Sequence, residues 1–82
     1  MKIIEFRGRK NIISEKLIKI REQNQLSQQN LATKMQTMGV NIDQQAISKI
    51  ELNKRIVTDY ELMCLCKILN VEVKDLTLNV NE

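Results

Sequence analysis

Residues that cap helices recur along this chain, and each is followed by a short apolar stripe with helical spacing. Ser27, Asp43 and Thr58 carry side-chain oxygens that accept hydrogen bonds from the free N–H groups of a first helical turn. Glu61 follows Thr58 by three residues, which completes a capping box. A chain divided in this way folds most readily as short helices packed on one another. We therefore predict an all-α domain of five short helices.

The capping residues set the expected boundaries. The predicted helices span about residues 12–24, 28–38, 44–52, 59–69 and 73–78. Asn11 is a candidate N-cap for the first helix. Asn24 is expected to end that helix, because asparagine tolerates the left-handed conformation. Residues 1–10 are expected to form an N-terminal arm or a short strand, and residues 11–82 the helical domain.

Apolar residues at helical spacing predict the core. We expect these residues to face inward: Ile13, Leu17, Ile20, Leu31, Ala32, Met35, Ala46, Ile47, Ile50, Leu62, Leu65 and Leu69. Met38 lies three residues after Met35 and is also expected to fill the core. Cys64 and Cys66 are two residues apart on one helix, so they point in different directions and cannot form a disulfide with each other. We expect one of these thiols to be buried and the other half-exposed.

The composition disfavours an enzyme or a metal site. The 82 residues include no histidine, which is the commonest general base and metal ligand, and two cysteines cannot supply a four-ligand zinc site alone. Phe6 and Tyr60 are the only aromatic residues, too few for a platform that stacks single-stranded bases. The chain also lacks an apolar stretch long enough to span a membrane. We therefore expect a cytoplasmic protein without a cofactor.

The outward face of the predicted third helix is polar in an unusual way. Gln44, Gln45, Ser48 and Lys49 share this face, where a solvent-facing helix usually carries Glu and Lys pairs. A glutamine amide matches the N6 and N7 edge of adenine, and a lysine matches O6 and N7 of guanine. The net charge of +3 is too small to identify a nucleic-acid partner by itself. The face therefore suggests base recognition, and the alternative is a polar surface without a partner.

Four segments occur in an order and spacing that carry more information than any one of them. They are Leu17-x-x-Ile20-Arg21, Leu26-Ser27-Gln28-x-x-Leu31-Ala32, Ile47-Ser48-Lys49-Ile50-Glu51-x-Asn53-Lys54-Arg55 and Leu62-x-x-Leu65-x-x-x-Leu69-x-Val71. Together they resemble the lambda-repressor-like helix-turn-helix family, the XRE-type group that contains phage repressors and Cro proteins. The resemblance covers residues 17–76. It implies a five-helix domain whose second and third helices read DNA.

The resemblance also implies roles for individual residues. Gln44, Gln45, Ser48 and Lys49 would read bases, and Gln28, Lys54 and Arg55 would contact the DNA backbone. Arg21 and Glu51 match a pair that forms an internal salt bridge in the family, and the alternative is two separate surface charges.

Two departures from the family pattern stand out. Ala32 and Glu51 are 19 positions apart, about five more than in the shortest family members, which predicts a longer loop or an extra turn within residues 36–42. Asn53 occupies a position where the family usually has glycine. Asparagine adopts the left-handed conformation at modest cost, so the predicted fold is unaffected.

Two functions are compatible with this sequence. The first is a sequence-specific double-stranded DNA-binding transcriptional regulator, a repressor acting as a homodimer. The second is a protein-interaction module, such as a toxin-neutralising antitoxin or the DNA-binding half of a regulatory complex. An antitoxin would need a long extension to wrap its partner, and little sequence follows Leu78. The candidate dimer surface, for which core packing is the alternative, consists of Ile3, Ile4, Val71, Val73, Leu76, Leu78 and Val80.

Overall fold

A computed structural model of the chain describes residues 6–77, and within this range the protein forms five helices and no strand. The helices are α1 (Ser14–Gln23), α2 (Gln28–Thr37), α3 (Gln44–Glu51), α4 (Asp59–Leu69) and α5 (Val73–Leu76). The prediction of an all-α fold with five helices is confirmed. No helix in the described range is long and apolar enough to cross a membrane.

Helices α2, α3 and α4 begin where the sequence predicted. The side chains of Ser27 and Asp43 each accept a hydrogen bond from the backbone N–H three residues later, at 3.0 and 2.8 Å. At the start of α4, Thr58 accepts from the N–H of Glu61 at 3.3 Å, and the Glu61 carboxylate accepts from the N–H of Thr58 at 3.0 Å. These side chains satisfy backbone donors that a helix leaves free at its first turn.

Helix α1 begins at Ser14, two residues later than predicted, and its N-cap is Ile13 and not Asn11. Asn11 nevertheless contacts the first turn and a second element. Its Oδ1 accepts from the N–H groups of Ile13 and Ser14, both at 3.0 Å. Its Nδ2 donates to the carbonyl oxygens of Ile50 and Arg55, at 3.0 and 2.9 Å. Asn11 therefore joins the beginning of α1 to the end of α3.

The ends of two helices also differ from the prediction. Asn24 does not adopt the left-handed conformation; the next residue, Gln25, has a φ of 58°. Asn24 instead keeps a negative φ, and its side-chain amide donates to the carbonyl of Ile20 at 2.8 Å. Helix α5 ends at Leu76, and the predicted last residue, Leu78, lies outside the described residues.

The core lies where the helices meet. Helix α3 packs on α1 and α2, while α4 packs on α2 and α5, and α5 also contacts α1. The fully buried residues of these helices include Leu17, Leu31, Ala32, Met35, Ile47, Ile50, Leu65 and Leu76. Three residues predicted in the core, Ile20, Ala46 and Leu62, are half-buried and pack against it.

Two expectations about individual core positions were wrong. Met38 is the C-cap of α2 and remains 39% exposed, because the chain turns away from the core there. Cys64 and Cys66 are both buried and both reduced. Helix α4 packs against α2 on one side and α5 on another, so thiols that point in different directions are both covered.

The additional residues between α2 and α3 form a loop instead of a helical turn. The loop begins after Thr37, and Gly39 takes a φ of 86°, a conformation that glycine adopts without steric cost. Val40 and Ile42 are buried, and the Gln36 side chain donates to the carbonyl of Ile42 at 2.9 Å. The loop is thus attached to the core just before α3 begins.

The described part of the predicted N-terminal arm is a tight turn. Phe6 and Arg9 exchange two backbone hydrogen bonds of 2.8 Å, and the positive φ angles of Arg7 and Gly8 close the turn between them. The rest of that segment, residues 1–5, lies outside the described range.

Only part of the candidate dimer surface falls within the described residues. Leu76 is fully buried and therefore belongs to the core, because α5 packs it against α1 and α4. Val71 is half-buried against the core, and Val73 is 50% exposed. The other members, Ile3, Ile4, Leu78 and Val80, lie outside the range that the structure describes.

Candidate nucleic-acid interface

The first turn of α2 and the first turn of α3 are joined through their glutamine side chains. Gln44 donates from Nε2 to Oε1 of Gln28 at 2.6 Å. Gln28 in turn donates from its own Nε2 to Oε1 of Glu51 at 2.8 Å. Gln28 therefore lies between the beginning and the end of α3 and contacts both.

Glu51 is also the acceptor for a second donor, the guanidinium of Arg21. Arg21 Nε lies 2.6 Å from Oε2 of Glu51, and Nη2 lies 3.2 Å from Oε1. Arg21 Nη1 also donates to the carbonyl of Leu26 at 2.8 Å. The hydrogen bond to Glu51 outweighs the effect of burial and raises the pKa of Arg21 above its ordinary value. The structure places the two residues in one nearly buried salt bridge that ties α1 to α3.

This arrangement fixes the orientation of the Gln44 amide. A carboxylate can only accept hydrogen bonds, so Glu51 must face the NH₂ group of Gln28. The oxygen of Gln28 then faces Gln44 and takes one of its N–H groups. The carbonyl oxygen and the second N–H of Gln44 remain for another molecule. This acceptor and this donor match the N6 and N7 edge of adenine.

The other predicted base-reading residues lie on the same helix. Gln45 and Lys49 are exposed, and Ser48 is half-buried. None of the three side chains hydrogen-bonds to another described residue, whereas Ile47 and Ile50 on the opposite side are fully buried. The core thus holds the helix in place and leaves these polar groups available.

The two cations after α3 differ in what they contact. Lys54 is exposed, and its backbone N–H donates to the carbonyl of Lys49 at 2.8 Å, which closes the end of the helix. Arg55 instead donates from both Nη atoms to the carboxylate of Glu61, at 2.9 and 3.0 Å. Arg55 thereby joins the α3–α4 connection to the first turn of α4. The ammonium of Lys54 has no salt-bridge partner among residues 6–77.

The electrostatics of Glu61 follow from these contacts. Burial by itself raises the pKa of this carboxyl group. The hydrogen bonds from Arg55 and from the Thr58 backbone outweigh burial, so the pKa of Glu61 is lower than its ordinary value. Glu61 is therefore an ionised residue that holds Arg55.

Sequence reasoning named Asn11 and Asn53 only for their local conformations and missed that both position the end of α3. Asn53 has a φ of 61°, and its Oδ1 accepts from the backbone N–H groups of Lys10 and Asn11, at 2.9 and 3.1 Å. Asn11 completes the connection by donating to the carbonyls of Ile50 in α3 and of Arg55 just after it. The unusual residue at position 53 was visible in the sequence, but nothing local indicated a partner more than forty residues away.

Two consecutive helices, α2 and α3, therefore present the N-terminus of one and the polar face of the other at a common surface, as a helix-turn-helix unit does. The family model described as Helix-turn-helix (HTH_3) matches residues 17–76. The chain belongs to this family, the XRE-type group that is similar to lambda repressor and Cro. It is accordingly a DNA-binding helix-turn-helix regulator. Comparisons with curated proteins and with solved structures gave no match.

Proposed function

We propose that this protein is a sequence-specific transcriptional repressor that binds double-stranded DNA as a homodimer, with α3 in the major groove. The observation that carries the proposal is the Gln44 amide, held by Gln28 with one donor and one acceptor left over. Gln45, Ser48 and Lys49 extend the same polar face along the helix. A side chain that is oriented before binding loses less conformational entropy when it meets a base.

The DNA backbone would be bound by groups on both sides of α3. The backbone N–H groups of Gln28 and Gln29 have no acceptor among the described residues, and they lie at the positive end of the α2 dipole. Phosphate binds readily at such a helix end. Lys54 supplies a separate cation beyond the other end of α3. Arg55 would act chiefly through Glu61, by holding the connection that carries Lys54.

Repression would follow from occupancy of the DNA. A homodimer reads two half-sites whose centres are about 34 Å apart on one face of the duplex, and it blocks other proteins from that segment. The protein would act in the compartment that holds the DNA, the cytoplasm of a bacterial cell.

The proposal is tested by changing both glutamines at the start of α3 to alanine. We expect Gln44→Ala/Gln45→Ala to lose discrimination between a duplex selected from a random pool and a scrambled duplex, measured by fluorescence anisotropy. Each base contact contributes about 1–3 kcal/mol of discrimination, or roughly 5- to 150-fold. The weak, salt-dependent binding to both duplexes should remain.

The matched control is Gln23→Ala, which removes an exposed glutamine at the end of α1, outside the helix-turn-helix unit. We expect it to bind both duplexes as the unaltered protein does. An equal loss of affinity for both duplexes in the double variant would contradict base reading by α3.

A further inference from the structure

Helix α4 presents an outward face that combines apolar side chains with two charges. Tyr60 is 54% and Met63 64% exposed, and the two lie three residues apart on the same face of the helix. Asp59 and Lys67 are exposed on the same helix. The opposite side of α4 packs on α2 and α5, so this face points away from the core. Ile56, just before the helix, is also exposed.

The charges are placed symmetrically about Met63. Asp59 precedes it by four residues and Lys67 follows it by four, so the three lie along one face, with about 6 Å of helix rise on each side. Neither Asp59 nor Lys67 forms a salt bridge with any residue from 6 to 77. A negative end, an apolar centre and a positive end complement a copy of the same face that runs in the opposite direction.

We propose that a second copy of this chain docks on this face, with the two α4 helices antiparallel and crossing at Met63. A two-fold axis at Met63 brings Asp59 of each copy to the partner's Lys67, and brings the two Met63 side chains together. Tyr60 covers the apolar centre from the side. Another protein would not require the pattern to reverse about its midpoint, which is why the occupant is a second copy.

The size of the face sets the strength of the contact. A stable interface usually involves about 20–30 residues from each partner, and this face offers far fewer. The free protein is therefore a weak dimer. Its extents of 31 × 28 × 19 Å are similar to the 34 Å spacing of adjacent half-sites, so copies bound side by side touch only at their edges. DNA raises their effective concentration, which strengthens the pairing; this last step rests on the proposed function.

The direct test places a thiol on the proposed axis. Met63→Cys is oxidised mildly without DNA, at high protein concentration, and disulfide-linked dimers are counted on a non-reducing gel. We expect efficient crosslinking, because close antiparallel helices bring the two Cα atoms at position 63 within about 6 Å, the separation a disulfide needs. Cys64 and Cys66 are buried and do not compete. Crosslinking no faster than in Met38→Cys, an exposed position at the C-cap of α2, would overturn the proposal.

A charge exchange tests the pairing without a thiol. Asp59→Lys alone and Lys67→Asp alone should each weaken self-association, measured by sedimentation equilibrium, by about tenfold, since two symmetric pairs become repulsive. The double exchange should restore it. Unchanged association in both single variants would overturn the proposal.

The same variants separate this proposal from the DNA-binding function. Binding to a duplex with one half-site should be unaffected, and cooperative binding to two half-sites should fall in the single exchanges only. Failure of the unaltered protein to bind a duplex with one half-site would refute the proposed function, while the crosslinking result would still decide the interface.

Discussion

Asn53 shows how one residue can serve both the backbone and the tertiary structure. Its left-handed φ ends α3, the role that glycine has in the family, and its side chain also accepts two hydrogen bonds from residues 10 and 11. Glycine would supply the conformation without the bonds. Asn70 ends α4 with a similar φ of 57°, yet its side chain makes no hydrogen bond to another described residue. The two asparagines therefore provide a matched comparison.

We expect Asn53→Gly to lower the free energy of unfolding by about 1–2 kcal/mol, because two backbone N–H groups lose their acceptor. Asn70→Gly should be neutral or stabilising by a few tenths of a kcal/mol, since glycine relieves the left-handed strain there. Urea denaturation of both variants measures the difference. Equal stabilities would show that the hydrogen bonds of Asn53 contribute nothing.

Glu61 makes the stability of the protein depend on pH. The pKa of Glu61 is lower in the folded protein than its ordinary value near 4.5. Its ionised carboxylate therefore stabilises the fold fully at pH values above 4.5, and this stabilisation is lost as the pH falls through the lowered pKa. Glu61→Gln should cost about 1.5–3 kcal/mol at pH 7, and the cost should shrink towards pH 3. Thermal unfolding across this pH range measures both.

The control for Glu61 is Glu15→Gln. The pKa of Glu15 is also lowered, by hydrogen bonds from Ser14 and Arg9, but this carboxylate is mostly exposed. Water screens exposed charge pairs, so Glu15→Gln should lower the free energy of unfolding by less than about 1 kcal/mol. A cost for Glu61→Gln that does not change with pH would contradict the role assigned to its charge.

Local signals explain why the starts of α2, α3 and α4 could be predicted from the sequence. A capping side chain bonds to a backbone group three residues away, so Ser27, Asp43 and Thr58 carry this information within one turn. Asn11 bonds locally to Ile13 and Ser14, but it also donates to Ile50 and Arg55, which are 39 and 44 positions away. No local pattern encodes such a contact.

The candidate site also has some features that the sequence predicts and others that only the folded structure shows. Helical geometry and the family resemblance place Gln44, Gln45 and Lys49 on one outward face from the sequence alone. They did not indicate that Gln28 holds Gln44, or that the guanidinium of Arg55 is engaged by Glu61. Both contacts require two elements to be packed first, so only the assembled fold reveals them.

The link between Gln28 and Gln44 leads to a prediction for α2 as an element. We expect Gln28→Ala to reduce discrimination between selected and scrambled duplexes by about three- to tenfold, because the Gln44 amide loses the partner that orients it. Fluorescence anisotropy measures the ratio. Gln29→Ala is the matched control, since among residues 6–77 the Gln29 amide bonds only to Thr33 of the same helix. Equal changes in discrimination would contradict an orienting role for Gln28.

For the whole molecule, the salt dependence of DNA binding counts the cations that contact phosphates. The contribution of one lysine should therefore be measurable as a change in that slope. We expect Lys54→Ala to weaken binding to all duplexes alike and to reduce the slope of log affinity against log salt by about one unit. An unchanged slope would place Lys54 away from the DNA.

Arg55→Ala provides the comparison for Lys54. Because Arg55 bonds to the nearly buried carboxylate of Glu61, its loss should lower the free energy of unfolding by several kcal/mol. Urea denaturation measures this effect. A normal stability with a reduced salt slope would instead assign Arg55 to the DNA backbone.

We propose above that α3 reads base sequence in the major groove as part of a symmetric pair. The most direct measurement is selection of bound duplexes from a randomised pool by the unaltered protein, followed by sequencing. We expect enrichment of an inverted repeat whose half-site centres are about 10 base pairs apart. The Gln44→Ala/Gln45→Ala variant should give no such enrichment. A selected pool that remains random, or the same repeat selected by both proteins, would contradict the proposal.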